Sequence, residues 1–323
     1  MKIKPVVVAI AVGAALFGSL PSGAQTNGPR AQICDSPTDS MNLFAQNLGR
    51  GRIGYGLTPD RATIPGPTIT MTEGDCLAVT LVNDASEKLS LHFHGVLYTA
   101  ASDGTRLNAS CVAPGRSRTF VLKATVPSTR ADGTIDPGTA GYWHYHDHCL
   151  GSPHGSAGIQ AGLFGALIVR RPGDLVPDRD PFVLTMGPGL TINKRKAPRT
   201  PLLEANQGDR VEFVVIGEGD PLHTFHLHGH RWTDTRTGEV TEPSNDVEII
   251  DNRTVGPADS FGFQIIAGEG VGPGAWMYHC HVQNHSDRGM AGIFLVRTAD
   301  GQITAEAAAA LRRFRRHEKH HGA

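Results

Sequence analysis

Apolar and polar residues alternate at period two along much of this chain, in short runs. Leu77, Val79 and Leu81 form one run and Val211, Phe213 and Val215 another, opened by Gly74-Asp75 and Gly208-Asp209 respectively. Successive strand residues point to opposite faces, so this alternation predicts half-buried β-strands. Turn residues separate the runs, and with Gly 39 and Pro 21 the composition favours many turns over long helices. The pattern predicts an all-β protein made of antiparallel sandwiches with Greek-key connections. Periodicity leaves open whether these are immunoglobulin-like or cupredoxin-like.

The two ends depart from the pattern. Lys2 and Lys4 precede an apolar run over 6–20, followed by Pro21, Ser22, Gly23 and Ala24. This is the layout of an export signal over 1–24, since the run falls short of the ~20 apolar residues that span a bilayer. A secreted or periplasmic location is the consequence. At the other end, 299–323 reads as a tail whose helix carries Arg312, Arg313, Arg315, Arg316 and Lys319. Such a charge run is expected to be solvated, and His317, His320 and His321 on it are left out of any site.

Between the ends lies an internal repeat. His92-Phe93-His94-Gly95 begins 17 residues after Asp75, and His226-Leu227-His228-Gly229 begins 17 after Asp209. A further 52 residues lead from His92 to His144-Tyr145-His146, and 53 lead from His226 to His279-Cys280-His281. Each copy closes on an apolar strand, over 166–169 and 293–296. The repeat predicts one domain over 30–171 and a second over 182–298, joined by the Pro- and charge-rich segment between them. With 30 Lys+Arg against 31 Asp+Glu, no net field exists to gather nucleic acid, and none is expected as a partner.

Histidine carries the chemistry. Among 16 copies there are six H-x-H triplets, where random placement gives roughly one. Both histidines of an H-x-H on a strand share a face, about 7 Å apart. Four pairs, His92/His94, His144/His146, His226/His228 and His279/His281, offer eight imidazoles, too many for one tetrahedral ion and suited to a cluster of three. Imidazole alone does not name the metal. The run His279-Cys280-His281-x₃-His285-x₄-Met290 does. Cys280 points to the face opposite its flanking histidines, where His285, Met290 and the upstream His223 can converge. Two imidazoles, a thiolate and a weak thioether are the donors of a blue-copper electron-transfer centre. An electron arriving there has a covalent route through Cys280 into His279 and His281.

Together these motifs resemble those of the multicopper oxidases, in particular the two-domain bacterial laccases, over nearly the whole mature chain. The resemblance implies two tandem cupredoxin-like Greek-key β-sandwich domains and four coppers per subunit. His223, Cys280, His285 and Met290 then match the type 1 ligands, and His92 and His226 the type 2 ligands. His94, His144, His146, His228, His279 and His281 match the ligands of the binuclear type 3 pair. Tyr145 stands where Cys280 stands in the repeat, and Leu163 opposite Met290, so the first domain is expected to hold no type 1 copper. Tyr98 matches a redox-active tyrosine beside the cluster, and Asp103 an acid that delivers protons. His148, His154 and His230 fall outside the matched positions and are expected to support the ligands.

The implied activity couples four one-electron oxidations of phenols or aromatic amines to reduction of dioxygen to water. A metallo-oxidase of Cu(I), Fe(II) or Mn(II) is the alternative, and a copper-sequestering or electron-carrier protein a more distant one. A copper nitrite reductase would need blue copper in the first domain. Each domain holds half of the cluster ligands, and in the resembled enzymes three chains close a ring, so a homotrimer is expected. Of the remaining cysteines, Cys76 with Cys111 is the favoured disulfide, leaving Cys34 for Cys149.

Overall fold

A computed structural model describes residues 33–34, 36–240 and 246–321, with side chains to 316; the expected export signal lies outside the described residues. Two β-sandwiches follow one another along the chain. The first packs a sheet of Arg52–Gly56, Asp39–Gly49, Cys76–Asn83 and Arg116–Lys123 on one of Gly66–Thr72, Phe164–Arg170, Gly141–His146 and His92–Phe93. The second repeats the plan. Its sheets are Thr191–Ile192, Phe182–Gly187, Arg210–Gly217 and Ser260–Ile266, and Leu202–Asn206, Ala291–Arg297, Gly274–Cys280, His223–Leu227 and Asn252–Val255. The all-β expectation holds.

The sheets are mixed, however, not purely antiparallel. Asp39–Gly49 runs parallel to Cys76–Asn83, Phe182–Gly187 to Arg210–Gly217, Gly66–Thr72 to Phe164–Arg170, and Leu202–Asn206 to Ala291–Arg297. Alternation reports which face a residue takes and is blind to the direction of the neighbouring strand. Each sandwich keeps its own apolar core, around Leu43, Val79, Phe93, Phe120 and Tyr145 in the first and Phe213, Phe225, Phe263, Tyr278 and Phe294 in the second. The Gly-Asp pairs do the same work in both. Gly74 and Gly208 take φ of 101° and 93°, and Asp75 and Asp209 accept the amides of Thr72 and Asn206 at 2.7 and 2.8 Å.

The second sandwich also lies against the first. Val214 and Ile216 pack on Tyr142, Ala166 and Ile168. At one end of this contact Arg170 donates to both carboxylate oxygens of buried Glu212 at 2.8 and 2.7 Å, and the Tyr142 hydroxyl donates to the same group at 2.7 Å. A buried, fully hydrogen-bonded ion pair of this kind fixes register more than it adds net stability. Register matters here because the next residue after the Arg210–Gly217 strand, Glu218, reaches the histidines of the first sandwich.

Two disulfides are present, Cys34 with Cys76 and Cys111 with Cys149, which overturns the expected pairing of Cys76 with Cys111. The fold brings the start of the Cys76–Asn83 strand beside the N-terminal segment, where Thr38 donates its amide to the Cys76 carbonyl at 2.7 Å. Cys149 instead meets the loop that carries Asp103, and the Arg106 guanidinium donates to its carbonyl at 2.6 Å.

Candidate metal centres

The structure gathers the second-domain donors as the strand geometry requires. Cys280 is the last residue of its strand and turns into the core with Tyr278, while His279 and His281 take the other face. Its Sγ lies 3.8 Å from His223 Nδ1 and 3.6 Å from His285 Nδ1. The three donor atoms fall within 4.8 Å of one another. Met290 is buried, and its carbonyl accepts the Cys280 amide at 3.0 Å, so the backbone sets the thioether-bearing residue beside the thiol-bearing one. Burial, reinforced by His285, pushes His223 down to about 4, which keeps its lone pair free at neutral pH. Cys280 is the one free cysteine among the described residues. This donor set fits copper.

His226, His228 and His279 form a second group with ligand atoms within 4.8 Å, and the Nε2 atoms of His228 and His279 are 3.1 Å apart. His281 stands beside them, its ring centroid 5.3 Å from those of His226 and His279. His226 Nδ1 donates to the Asp251 carbonyl at 2.7 Å and His279 Nδ1 to the Cys280 carbonyl at 2.8 Å, which leaves Nε2 of each as the metal-facing lone pair. His228 and His281 are exposed, so this half forms a surface.

In the first domain, His92 Nδ1 donates to the Asp103 carbonyl at 2.7 Å, and His94 and His146 bring their Nε2 atoms to 3.1 Å. Burial is the main cause that lowers His94 to about 4 and His146 to about 3, helped by the neighbouring imidazoles. The hydrogen-bond contacts match those of the second half. The residue paired with His92 across the sheet is His146, and the residue paired with His226 is His279. Tyr145 donates its hydroxyl to the Pro67 carbonyl at 2.7 Å, and Tyr278 to Pro201 at 2.6 Å. Both tyrosines lean on a glycine, Gly165 and Gly292, where an added Cβ would come within 2.4 and 2.2 Å of the ring hydroxyl. Likewise Trp143 covers Gly95 and Trp276 covers Gly229.

These pairs correct the sequence alignment by two residues. Tyr145 is the counterpart of Tyr278, not of Cys280. Asp147 takes the cysteine's place, His148 that of His281, and His144 that of Met277. The run His144-x-His146-x-His148 holds two overlapping H-x-H pairs, and the one that superposes is His146/His148. His148 therefore joins the ligand candidates, with donor atoms of His92, His146 and His148 within 4.8 Å. Its Nδ1 donates to the Pro153 carbonyl at 3.1 Å, leaving Nε2 free, as in its neighbours. His144 lies within the same reach of His94 and His146 but has no counterpart ligand.

The argument against a thiolate centre in the first domain keeps Leu163 and exchanges Tyr145 for two other residues. Leu89, three before His92, is buried where His223 stands in the second domain, and Asp147 and Leu163 replace Cys280 and Met290. Asp147 accepts the amides of Ser90 and Leu150 at 2.7 Å and of Cys149 at 3.0 Å, so its carboxylate ties three backbone segments together and has little capacity left for a metal.

Asp103 and Tyr98 both flank His92. One Asp103 oxygen lies 3.7 Å from His92 Nδ1, and the other accepts from Thr105 and, at 2.6 Å, from Asn108. Burial on its own would raise this carboxyl, but the hydrogen bonds and the facing imidazoles outweigh it and hold it below the ordinary range. The Tyr98 ring centroid is 6.0 Å from that of His92, and burial with Asp103 nearby raises its phenol. Asp251 was missed from sequence. Its carbonyl and carboxylate stand 2.7 and 3.7 Å from His226 Nδ1, the same pair of contacts that Asp103 makes to His92. Asp251 follows its histidine by 25 residues and Asp103 by 11, so no spacing rule links them. His230 is structural: it accepts the Gly268 amide and donates to the His228 carbonyl, each at 3.0 Å. His154 is exposed on the rim of an interdomain cavity of about 580 Å³.

Comparison with known proteins agrees with this picture. Two family models, both described as multicopper oxidase, match residues 61–174 and 176–300. A probable nitrite reductase-hydroxylamine oxidoreductase fusion protein of Kuenenia stuttgartiensis is 35% identical over 75% of this chain and 28% of its own length. A putative laccase-17 of Oryza sativa subsp. japonica is 32% identical over 42% of the chain and 23% of its own length. The chain thus spans about a quarter of these curated relatives. A solved multicopper oxidase is matched over 80% of this chain and 88% of that one, at 26% identity and a TM-score of 0.57. With paired family matches laid over two cupredoxin-like sandwiches and a buried thiol set between two imidazoles, the chain belongs to the multicopper oxidases.

Proposed function

We propose that this protein is a laccase-type oxidase that couples four one-electron oxidations of phenolic or related donors to reduction of dioxygen to water. The observation that carries the reading is Cys280: its sulfur meets His223 and His285 on one face of a strand whose other face presents His279 and His281. Copper held by these residues supplies one-electron redox chemistry at the thiolate and multi-electron oxygen chemistry at the imidazole cluster. His223, Cys280, His285 and Met290 would hold the type 1 ion. His92 and His226 would hold the type 2 ion, and His94, His146, His148, His228, His279 and His281 the type 3 pair, with His148 in the place first given to His144.

The protein's own residues position and neutralise. Backbone carbonyls at Asp103, Asp147, Asp251 and Cys280 take the Nδ1 protons of four imidazoles, fixing their tautomers before any ion arrives. Asp103, ionised and beside His92, is the proton relay from solvent, and Tyr98 an electron reserve beside it. Among the described residues, no group of three or more ligand atoms mixes the two halves. This supports a closed ring in which the second domain of one copy completes the first-domain half of another, a homotrimer. Two disulfides favour an oxidising compartment, secreted or periplasmic.

The test is oxygen uptake by the copper-loaded full chain, comparing phenols with Cu(I), Fe(II) and Mn(II), and with nitrite offered as the alternative acceptor. Uptake driven by phenols supports the reading. Preferential turnover of metal ions reassigns the donor, and nitrite reduction without oxygen uptake overturns the proposal.

A further inference from the structure

One cluster of donors is left over once the eight imidazoles are assigned. His144 is fully buried, and neither ring nitrogen has a hydrogen-bond partner. Glu218, from the second sandwich, is 2% exposed and leaves Oε1 equally unpartnered. The two face each other, with His144 Nε2 3.9 Å from Glu218 Oε1. Buried polar atoms without partners are rare because each costs its full desolvation, so two facing each other call for something between them. The gap is too long for a hydrogen bond. It suits an ion, since nitrogen and oxygen donors each sit about 2.0–2.2 Å from a zinc-like cation. On its other side His144 joins His94 and His146, whose ligand atoms lie with its own within 4.8 Å of one another, and the rings of His94 and His144 stack with centroids 4.0 Å apart.

We propose that His144 and Glu218, with water completing the coordination, form an auxiliary binding position for a borderline divalent cation, which is then handed to His94 and His146 before a second copy closes the cluster. The position is built within one chain. The interdomain packing that ends in Glu218 delivers the carboxylate, and the cavity lined by His94, His146, His148 and Glu218 gives the ion a way in. His144 is common to the pair with Glu218 and to the group with His94 and His146, so an ion passes to the cluster by exchanging first Glu218 and then His144 for those imidazoles and the partner copy's. The second-domain half has Met277 at the place of His144 and cannot do the same. The inference rests on reading His94 and His146 as metal ligands, and not on oxidase activity.

Zn(II), which is redox-silent, is the probe, added in less than one equivalent to the full-length apo-protein. Anomalous diffraction at the zinc edge should place the ion between His144 and Glu218. Competition with a chromophoric chelator should show Glu218→Gln, a near-isosteric change, weakening this first equivalent about 10- to 100-fold, and His144→Gln weakening it as well. Zinc found only on the other histidine groups, or variants that bind it with unchanged affinity, would overturn the proposal. Oxygen uptake is read separately, so uptake without zinc at His144 defeats this inference alone, and zinc at His144 without uptake defeats only the oxidase reading.

Discussion

The two halves of the repeat share a scaffold and differ in what they bury. In both, a tyrosine anchored to a proline carbonyl and a tryptophan lying on a glycine set the register of the metal-bearing strand. In both, the first histidine donates Nδ1 to an aspartate carbonyl at 2.7 Å. The first half then sinks its imidazoles against the second sandwich and uses Asp147 as a backbone clamp. The second leaves His228 and His281 exposed and puts a thiol at the equivalent point. The two copies thus share the geometry that aims the imidazoles, while Leu89, Asp147 and Leu163 against His223, Cys280 and Met290 separate the half without a thiolate donor set from the half that has one.

The sharpest way to break this comparison is at that residue. Cys280→Ser should abolish the intense visible absorption of the copper-loaded protein and reduce oxygen uptake to background, because the donor that makes the thiolate bond is gone; spectrophotometry and an oxygen electrode read both. Next in size, His148→Ala should lower copper per chain and cut turnover at least about tenfold, each by more than His144→Ala does. Elemental analysis of the two variants checks the two-residue correction, and the reverse order would restore the alignment of Tyr145 with Cys280.

Asp103→Asn should reduce kcat by about 10²-fold, with the deficit growing as pH rises and free protons become scarce. Asp251→Asn probes whether the matched contact in the other half has the same duty, and a smaller loss is expected because Asp251 is exposed and solvent can substitute for it. The smallest effect concerns the apo-protein. His94 and His146 are pushed to about 4 and about 3 in the fold, whereas the unfolded chain takes up their protons near pH 6.5. The unfolded state then binds more protons, so their contribution to stability is full above about pH 6.5 and falls away progressively as pH drops towards 4. Melting curves of metal-free protein between pH 7 and 4 should show this decline, and metal loading should flatten it.

Much of this was legible in the chain itself. Period-two alternation, the repeat and the H-C-H-x₃-H-x₄-M run specify two sandwiches and a thiolate centre, since strand periodicity dictates which side chains share a face. What the sequence could not settle was register. Interval counting gives 52 from His92 to His144 and 54 to His146, against 53 from His226 to His279, so either choice misses by one. Packing resolved it, because a tyrosine hydroxyl meets its proline carbonyl in only one register. The disulfides, the match of Asp251 to Asp103, and the approach of Glu218 to His144 were likewise decided in three dimensions. Each joins residues whose separation along the chain carries no period, and proximity of that kind arises only when sheets close on one another.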